Sequence, residues 1–408
     1  MAKLQPVRGT HDLLPDDARR HRHVEQTAFA VAEKYGYGEI MTPILEFTEV
    51  FSRTLGETSD VVTKEMYTFE RSGESLTLRP EGTAGVARAF ISNGLAQSLP
   101  LKLFYRGPMF RYERPQKGRQ RQFHQVGVEF LGVDSPLADV EILAMAWQFL
   151  TELGLGGNVR LEINSLGTPA DRIAYADDLR AHFGAHKDRL SEDSKVRLDK
   201  NPMRILDSKD EGDKELVASA PLITERLTEG RGHFDAVLAG LDRLGLPYTV
   251  NPRLVRGLDY YCHTAFEFVT TDLGSQGTVL AGGRYDGLVG MMGGPATPGI
   301  GWAAGVERLA LLAGDVPQAL RPIAVIPMGD DLAALDISQA LRRAGQAVHM
   351  GYSGNMKKRL ERANKANARF AVILGQDEAA RGAATVRDLD TGEQSEVALT
   401  GLVEHLSK

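Results

Sequence analysis

Arg106–Phe130 reads RGPMFRYERPQKGRQRQFHQVGVEF. Its last six residues alternate. In an extended strand Val126, Val128 and Phe130 fall on one face, and Gln125, Gly127 and Glu129 on the other. An apolar face of this kind packs on helices. The opposite face offers an amide, an empty glycine position and a carboxylate, which suits the floor of a site for a small polar ligand. A glycine inside a strand weakens it and marks a close approach, read here as that of a ligand. A strand with one solvated face would show the same alternation. Upstream, Pro115–Gly118 is a turn signal between two strands. Arg106, Arg111, Arg114, Lys117, Arg119 and Arg121 crowd the same short stretch. A strand-held arginine clamps a phosphate with both nitrogens, and a basic loop follows a nucleic-acid backbone. A solvated hairpin would also carry such charges.

Outward from this hairpin, Asp16–Tyr35 has the stripe of an amphipathic helix (Val24, Ala28, Val31, Tyr35), started by Pro15 and Asp16. Leu76–Arg79, Leu101–Arg106, Met109–Glu113 and Phe123–Leu131 read as strands, and Leu137–Leu153 as a second long helix. These elements predict an α+β core: a mostly antiparallel sheet flanked by helices. Residues 170–250 differ. Ser191–Glu215 is dense in charge of both signs, while Leu222–Leu244 has helical periodicity. A helical insertion on the core surface is expected there. Strand patterns resume at Tyr260–Thr270, Thr278–Ala281 and Gly299–Trp302, and a helix at Val306–Leu312 follows. After a linker at Ala313–Arg321, a β-α-β-α-β order (Ile323–Met328, Asp331–Ala344, Val348–Met350, Met356–Asn367, Phe370–Leu374) predicts a small α/β unit with a largely parallel sheet. The expected domains are residues 1–320 and 321–408.

Composition sets the class. The 408 residues are 42% hydrophobic and 25% charged, too long for one ordinary core and typical of a globular protein. No apolar run approaches the ~20 residues that cross a bilayer, and the N-terminus lacks the apolar segment of a signal peptide. A single cysteine, Cys262, excludes a disulfide framework within the chain and fits the reducing cytoplasm. The net charge of −6 argues against a general nucleic-acid coat protein but leaves room for an RNA partner bound through local basic patches.

Several catalytic signatures are absent. Gly299, Gly301 and Gly305 are one residue too widely spaced for a dinucleotide fingerprint. There is no Gly-Lys-Ser/Thr, so no P-loop, and no Gly-x-Ser-x-Gly elbow. The ten histidines show no metal-ligand spacing, and His21 and His23, which cannot share a helix face, read as surface residues.

Four further segments carry candidate chemistry. Leu76–Gly85, LTLRPEGTAG, sets Glu81 and Thr83 between a strand and a helix, where they would hold an ammonium group or where Thr83 would simply cap the helix. Leu254–Phe268, LVRGLDYYCHTAFEF, puts Arg256 and Gly257 before Tyr260 and Tyr261. Ala281–Leu288, AGGRYDGL, sets paired glycines before Tyr285. Gly299–Leu309, GIGWAAGVERL, is a glycine-rich strand leading into a helix that carries Arg308.

Together, and in this order, these segments resemble the histidyl-tRNA synthetases over nearly the whole chain, from RGTHDLLP at Arg8–Pro15 onward. Tyr35–Leu45 with Pro43 resembles motif 1 of the class II synthetases, a dimer-interface element. Phe110–Glu113 with its loop and strand resembles motif 2, and Gly299–Leu309 motif 3. LVRGLDYY and AGGRYDGL are similar to the histidine-specific signatures. The resemblance implies that Arg111, with Glu113 beside it, holds ATP at the α-phosphate and Arg308 at the γ-phosphate. Arg256 would lie beside the histidine carboxylate and α-phosphate. Glu81, Thr83 and Gln125 would bind the α-ammonium, while Glu129, Tyr260, Tyr261 and Tyr285 would form the imidazole pocket. Gln116, Lys117 and Arg119 would meet the tRNA acceptor end. The C-terminal unit resembles an anticodon-binding domain, and Lys357 and Lys358 open its basic helix. The implied partners are L-histidine, ATP with Mg2+, tRNA(His) and a second copy of the chain. A non-catalytic paralogue that binds histidine and regulates a phosphoribosyltransferase is the alternative. Such chains lack the C-terminal domain and the intact arginines present here.

Overall fold

The computed structural model describes residues 3–56, 59–116, 118–274 and 277–407. Lys117, one of the expected RNA-contacting residues, lies outside them. The chain forms two compact units, Met1–Val316 and Pro317–Lys408.

The first unit is built on an eight-stranded sheet. Its strands are β1 (Gly38–Glu39), β5 (Leu101–Phe110), β6 (Gln122–Leu131), β7 (Arg160–Ser165), β8 (Tyr248–Val250), β9 (Cys262–Val269), β10 (Thr278–Arg284) and β11 (Gly299–Gly305). They run in the order β1-β5-β6-β11-β10-β9-β7-β8, antiparallel except at the two edge pairs. A separate small antiparallel sheet joins β2 (Leu45–Phe47), β3 (Tyr67–Arg71) and β4 (Glu74–Leu78).

Strand alternation decides what each face of the large sheet does. Val126, Val128 and Phe130 of β6, Ile300, Trp302 and Ala304 of β11, and Phe266 and Phe268 of β9 enter one apolar cluster. The helices Pro15–Lys34, Pro136–Glu152 and Arg231–Leu244 supply the other side of that cluster. On the opposite face stand Gln125, Glu129, Gly301 and Glu267. The α+β architecture with a dominantly antiparallel core is as the sequence predicts.

Two local expectations are corrected. Leu101–Phe110 is one continuous strand, not two with a break before Met109. Pro108 is tolerated because β1 covers β5 only at Leu103 and Phe104, so the missing N–H faces an open edge. Residues 170–250 are not all a peripheral insertion. Arg231–Leu244 packs Phe234, Val237 and Leu241 into the main core, and β8 joins the main sheet. The helices before it, Pro169–Gly184, Glu192–Lys200 and Glu211–Ala218, form the surface element. Asp213 ties that charged stretch together, accepting hydrogen bonds from the hydroxyls of Ser191, Ser194 and Ser208.

In the second unit, β12 (Ile323–Met328), β13 (Val348–Met350) and β14 (Phe370–Gly375) are parallel, as predicted. β15 (Ala383–Asp388) and β16 (Gln394–Ala398) extend the sheet antiparallel. Ile323 and Val325 face the helix Asp331–Arg343, whereas Ala324 and Ile326 face Met356–Lys365. Among the described residues no helix is long and apolar enough to cross a membrane.

Candidate active site

A cavity of about 450 Å3 opens on the polar face of the large sheet. It is lined by Glu81, Thr83, Arg111, Glu113, Arg119, Gln125, Arg256, Tyr260, Tyr261, Tyr285 and Arg308. Five segments far apart in sequence thus converge on one volume. Gln116 and Arg119 close the β5–β6 hairpin by reciprocal backbone hydrogen bonds of 3.0 and 2.9 Å. Gln116 does not reach the cavity wall.

The arginines are held in the cavity wall by backbone carbonyls and by two carboxylates. Arg111 Nε donates to the Pro80 carbonyl at 2.9 Å, and its guanidinium lies 5.4 Å from the Phe123 ring centre. Glu113 pairs with Arg119 at 2.8 Å and lies 3.8 Å from Arg111. Arg308 Nε donates to the Gly118 carbonyl at 3.2 Å, which fastens the helix Val306–Leu312 to the tip of the basic hairpin. Arg256 pairs with Glu267 and sits over the Tyr261 ring at 5.3 Å. The Thr278 hydroxyl donates to the other Glu267 oxygen at 2.8 Å. Sequence reasoning did not single out Glu267. Its signal was a lone carboxylate at an alternating position of an otherwise apolar strand.

The acidic end is built differently. Glu81 accepts hydrogen bonds from the backbone N–H groups of Thr83 and Ala84 at 2.7 and 2.8 Å. It, and not Thr83, caps the helix Thr83–Ser92, and Thr83 lines the cavity instead. Glu129 is 1% exposed and accepts from the Tyr285 hydroxyl. It stands behind Tyr285 rather than on the cavity wall. Burial pushes its carboxyl up to about 8, against the hydrogen bond from Tyr285. Burial, and then the neighbouring Glu129, hold the Tyr285 phenol well above its ordinary range, so it remains a donor. The buried Gln125 Oε1 and Glu129 Oε1 have no hydrogen-bond partner within the protein. Such atoms are costly unless a ligand or water meets them.

The glycines explain how so many large groups fit. A methyl at Gly127 would overlap the ring of Tyr105, its partner on β5. A methyl at Gly299 would overlap Tyr285, and one at Gly301 would overlap Glu129. Gly127 therefore admits a tyrosine of the chain itself, which corrects the expectation of direct ligand approach. In AGGRYDGL, Arg284 is fully buried, paired with Asp139, and does not line the cavity.

The signature loop Arg256–Tyr261 is clamped from the surface element. Asn201 and Arg204 donate to the Asp259 carboxylate at 2.9 Å each, and Arg172 donates to the Tyr261 carbonyl at 2.7 Å. His21, expected at the surface, is 8% exposed and buried against His124. In the second unit Lys357 and Lys358 are exposed, whereas Arg359 and Arg362 bond the carbonyls of Gly354 and Ser353.

This geometry agrees with what the chain is similar to. A family model described as histidyl-tRNA synthetase matches residues 9–309, and one described as an anticodon binding domain matches residues 322–408. A histidine–tRNA ligase of Rhodospirillum rubrum is 63% identical with 100% of both chains covered. That of Gluconacetobacter diazotrophicus is 56% identical, covering 100% of this chain and 99% of the relative. The crystal structure of apo Staphylococcus aureus histidyl-tRNA synthetase superposes with a TM-score of 0.83 at 36% identity, both chains fully covered. Full-length identity of this order, with both domains present, separates the chain from regulatory paralogues, and the chain belongs to the histidyl-tRNA synthetase family of class II aminoacyl-tRNA ligases.

Proposed function

We propose that the cavity on the sheet joins L-histidine to ATP as histidyl-adenylate, and that tRNA(His) then takes the acyl group on its 3′-terminal ribose. The observation that carries this reading is the lining of one cavity: Arg111, Arg256 and Arg308 share its wall with Glu81, Thr83, Gln125, Tyr260, Tyr261 and Tyr285, and Glu129 stands behind Tyr285. The histidine carboxylate is already ionised at neutral pH, so its attack on the α-phosphorus needs no general base. It needs alignment, and cations where negative charge accumulates. Arg256 and Arg111 flank the α-phosphate, and Arg308 takes the γ-phosphate. Glu81, Thr83 and Gln125 receive the ammonium group. Tyr261 and Tyr285, the latter set by Glu129, meet the imidazole, and an amino acid without ring nitrogens leaves them unpaired.

Carboxylate oxygens are the donors Mg2+ prefers, and Glu113 and Glu267 offer them on the cavity wall, each already paired with an arginine. They would hold a magnesium ion carried by ATP, which would neutralise pyrophosphate charge.

Exposed Met41, Ile44, Leu45, Phe47 and Phe69 gather around the small sheet and its approach, which supports a homodimer through this face. Such a patch on a lone chain needs a partner. The test of the activation step is histidine-dependent ATP–pyrophosphate exchange. Arg256→Ala should lower it about 100-fold or more. Exchange at the wild-type rate in that variant would remove Arg256 from the mechanism.

A further inference from the structure

Beside the hairpin, next to the substrate cavity whose wall Glu307 shares, three groups from three separate elements meet. His21 comes from the helix Pro15–Lys34, His124 from β6 and Glu307 from the start of the helix Val306–Leu312. One ring nitrogen of each histidine and one Glu307 oxygen lie within 4.8 Å of one another. A tetrahedral ion with bonds of ~2.1 Å needs ligand atoms about 3.4 Å apart, so small side-chain rotations suffice. His124 Nδ1 is 2.8 Å from Glu307 Oε1, and the two imidazoles meet edge to face at 5.6 Å. His21 is more than nine-tenths buried, and its Nδ1 has no hydrogen-bond partner. An imidazole nitrogen sealed in this way, beside a second imidazole and a carboxylate, has no evident use in packing. An adjoining cavity of about 280 Å3, lined by His11, Asp17, His21 and Glu307, has room for a water and shares Gly118, Gln120 and Glu307 with the wall of the substrate cavity.

We propose that His21, His124 and Glu307 form a binding site for a divalent transition metal of the Zn2+ type. Two imidazoles, one carboxylate and a water are a donor set that suits Zn2+ or Co2+ and not Mg2+. The site couples to the reaction described above, on which this effect rests, because His124 precedes Gln125 and Glu307 precedes Arg308. Glu307 now accepts from the backbone N–H of His124 at 2.9 Å. A bound ion competes for that carboxylate, displaces its two neighbours and slows activation.

The test uses the full chain, freed of metal, with Co2+ alone and then Zn2+ alone. One equivalent of Co2+ should bring visible absorption bands of a four- or five-coordinate ion, with nitrogen ligands in the X-ray absorption spectrum, and Zn2+ should abolish the bands. His21→Ala and His21→Asn should each weaken Co2+ binding at least tenfold and keep wild-type exchange without either metal. Zn2+ should inhibit exchange by the wild type and spare both variants. No saturable Co2+ binding by the wild type, or a shell of oxygen ligands only, overturns the site whether or not exchange is found. Binding unchanged in both His21 variants overturns it as well.

Discussion

The ring of Tyr105 fills the space that Gly127 leaves open on the neighbouring strand. The tyrosine is 3% exposed, and its hydroxyl has no hydrogen-bond partner in the protein. Gly127→Ala sets a methyl against this buried ring. Overpacking of this kind costs about 1–3 kcal/mol. The expected result in denaturant unfolding is a loss in that range, with a raised KM for histidine and little change in KM for ATP. An alanine variant as stable as the parent, with unchanged KM for histidine, would show that Tyr105 moves freely.

The surface element holds the signature loop through Asp259. Arg204 is mostly buried in this pair, and Asn201 shares the same oxygen. Arg204→Ala should lower kcat for exchange about tenfold, because Arg256 and Tyr261 lose their fixed position rather than their chemistry. Arg226→Ala breaks an exposed pair with Asp178 on the same element. Exposed pairs contribute about 0–1 kcal/mol, so this variant should match the parent. Equal activity in the two variants would separate the surface element from catalysis.

Glu129 gives stability a definite pH dependence. Its carboxyl is raised from the ordinary 4.5 to about 8 by burial, so the folded chain holds a proton that the unfolded chain releases. The contribution of this group is complete below the ordinary value and is lost as pH rises toward about 8. Glu129→Gln removes the titration. Thermal unfolding of the variant, measured against the parent from pH 5 to pH 9, should show the variant gaining relative stability as pH rises. Parallel profiles would mean that Glu129 is already ionised at low pH. Histidine selectivity in exchange should fall in the same variant.

On the second unit, Lys357 and Lys358 are exposed, while the neighbouring arginines are spent on loop carbonyls. Replacing both lysines by alanine should raise KM for tRNA in aminoacylation and flatten its dependence on salt, as expected when phosphate contacts are removed. Exchange without tRNA should be unchanged. A defect in exchange as well would place the effect on folding rather than on RNA.

The two-faced reading of Gln125–Phe130 carried through to the structure because alternation in a strand is a local property. The three arginines and the tyrosines of the signatures were legible for another reason: each sits in a short, distinctive segment. What stayed hidden depends on contacts between distant segments. Nothing around Tyr105 marks it until β5 and β6 are in register and it stands opposite Gly127. Asn201 and Arg204 look like members of a solvated charge run, yet their partner is more than fifty residues away. His21 continues the stripe of Val24, Ala28 and Val31 toward the helix start and is buried with it, against His124 of β6, although its pairing with His23 suggested the surface. Pro108 suggested a strand break that the open edge of β5 makes unnecessary.

This cavity is expected to activate histidine and no other amino acid. ATP–pyrophosphate exchange across all twenty amino acids, without tRNA, tests it in one assay, with Arg256→Ala in parallel. Exchange is expected with histidine alone and nearly abolished in the variant. Exchange with another amino acid, or none with histidine in folded chain, would contradict it.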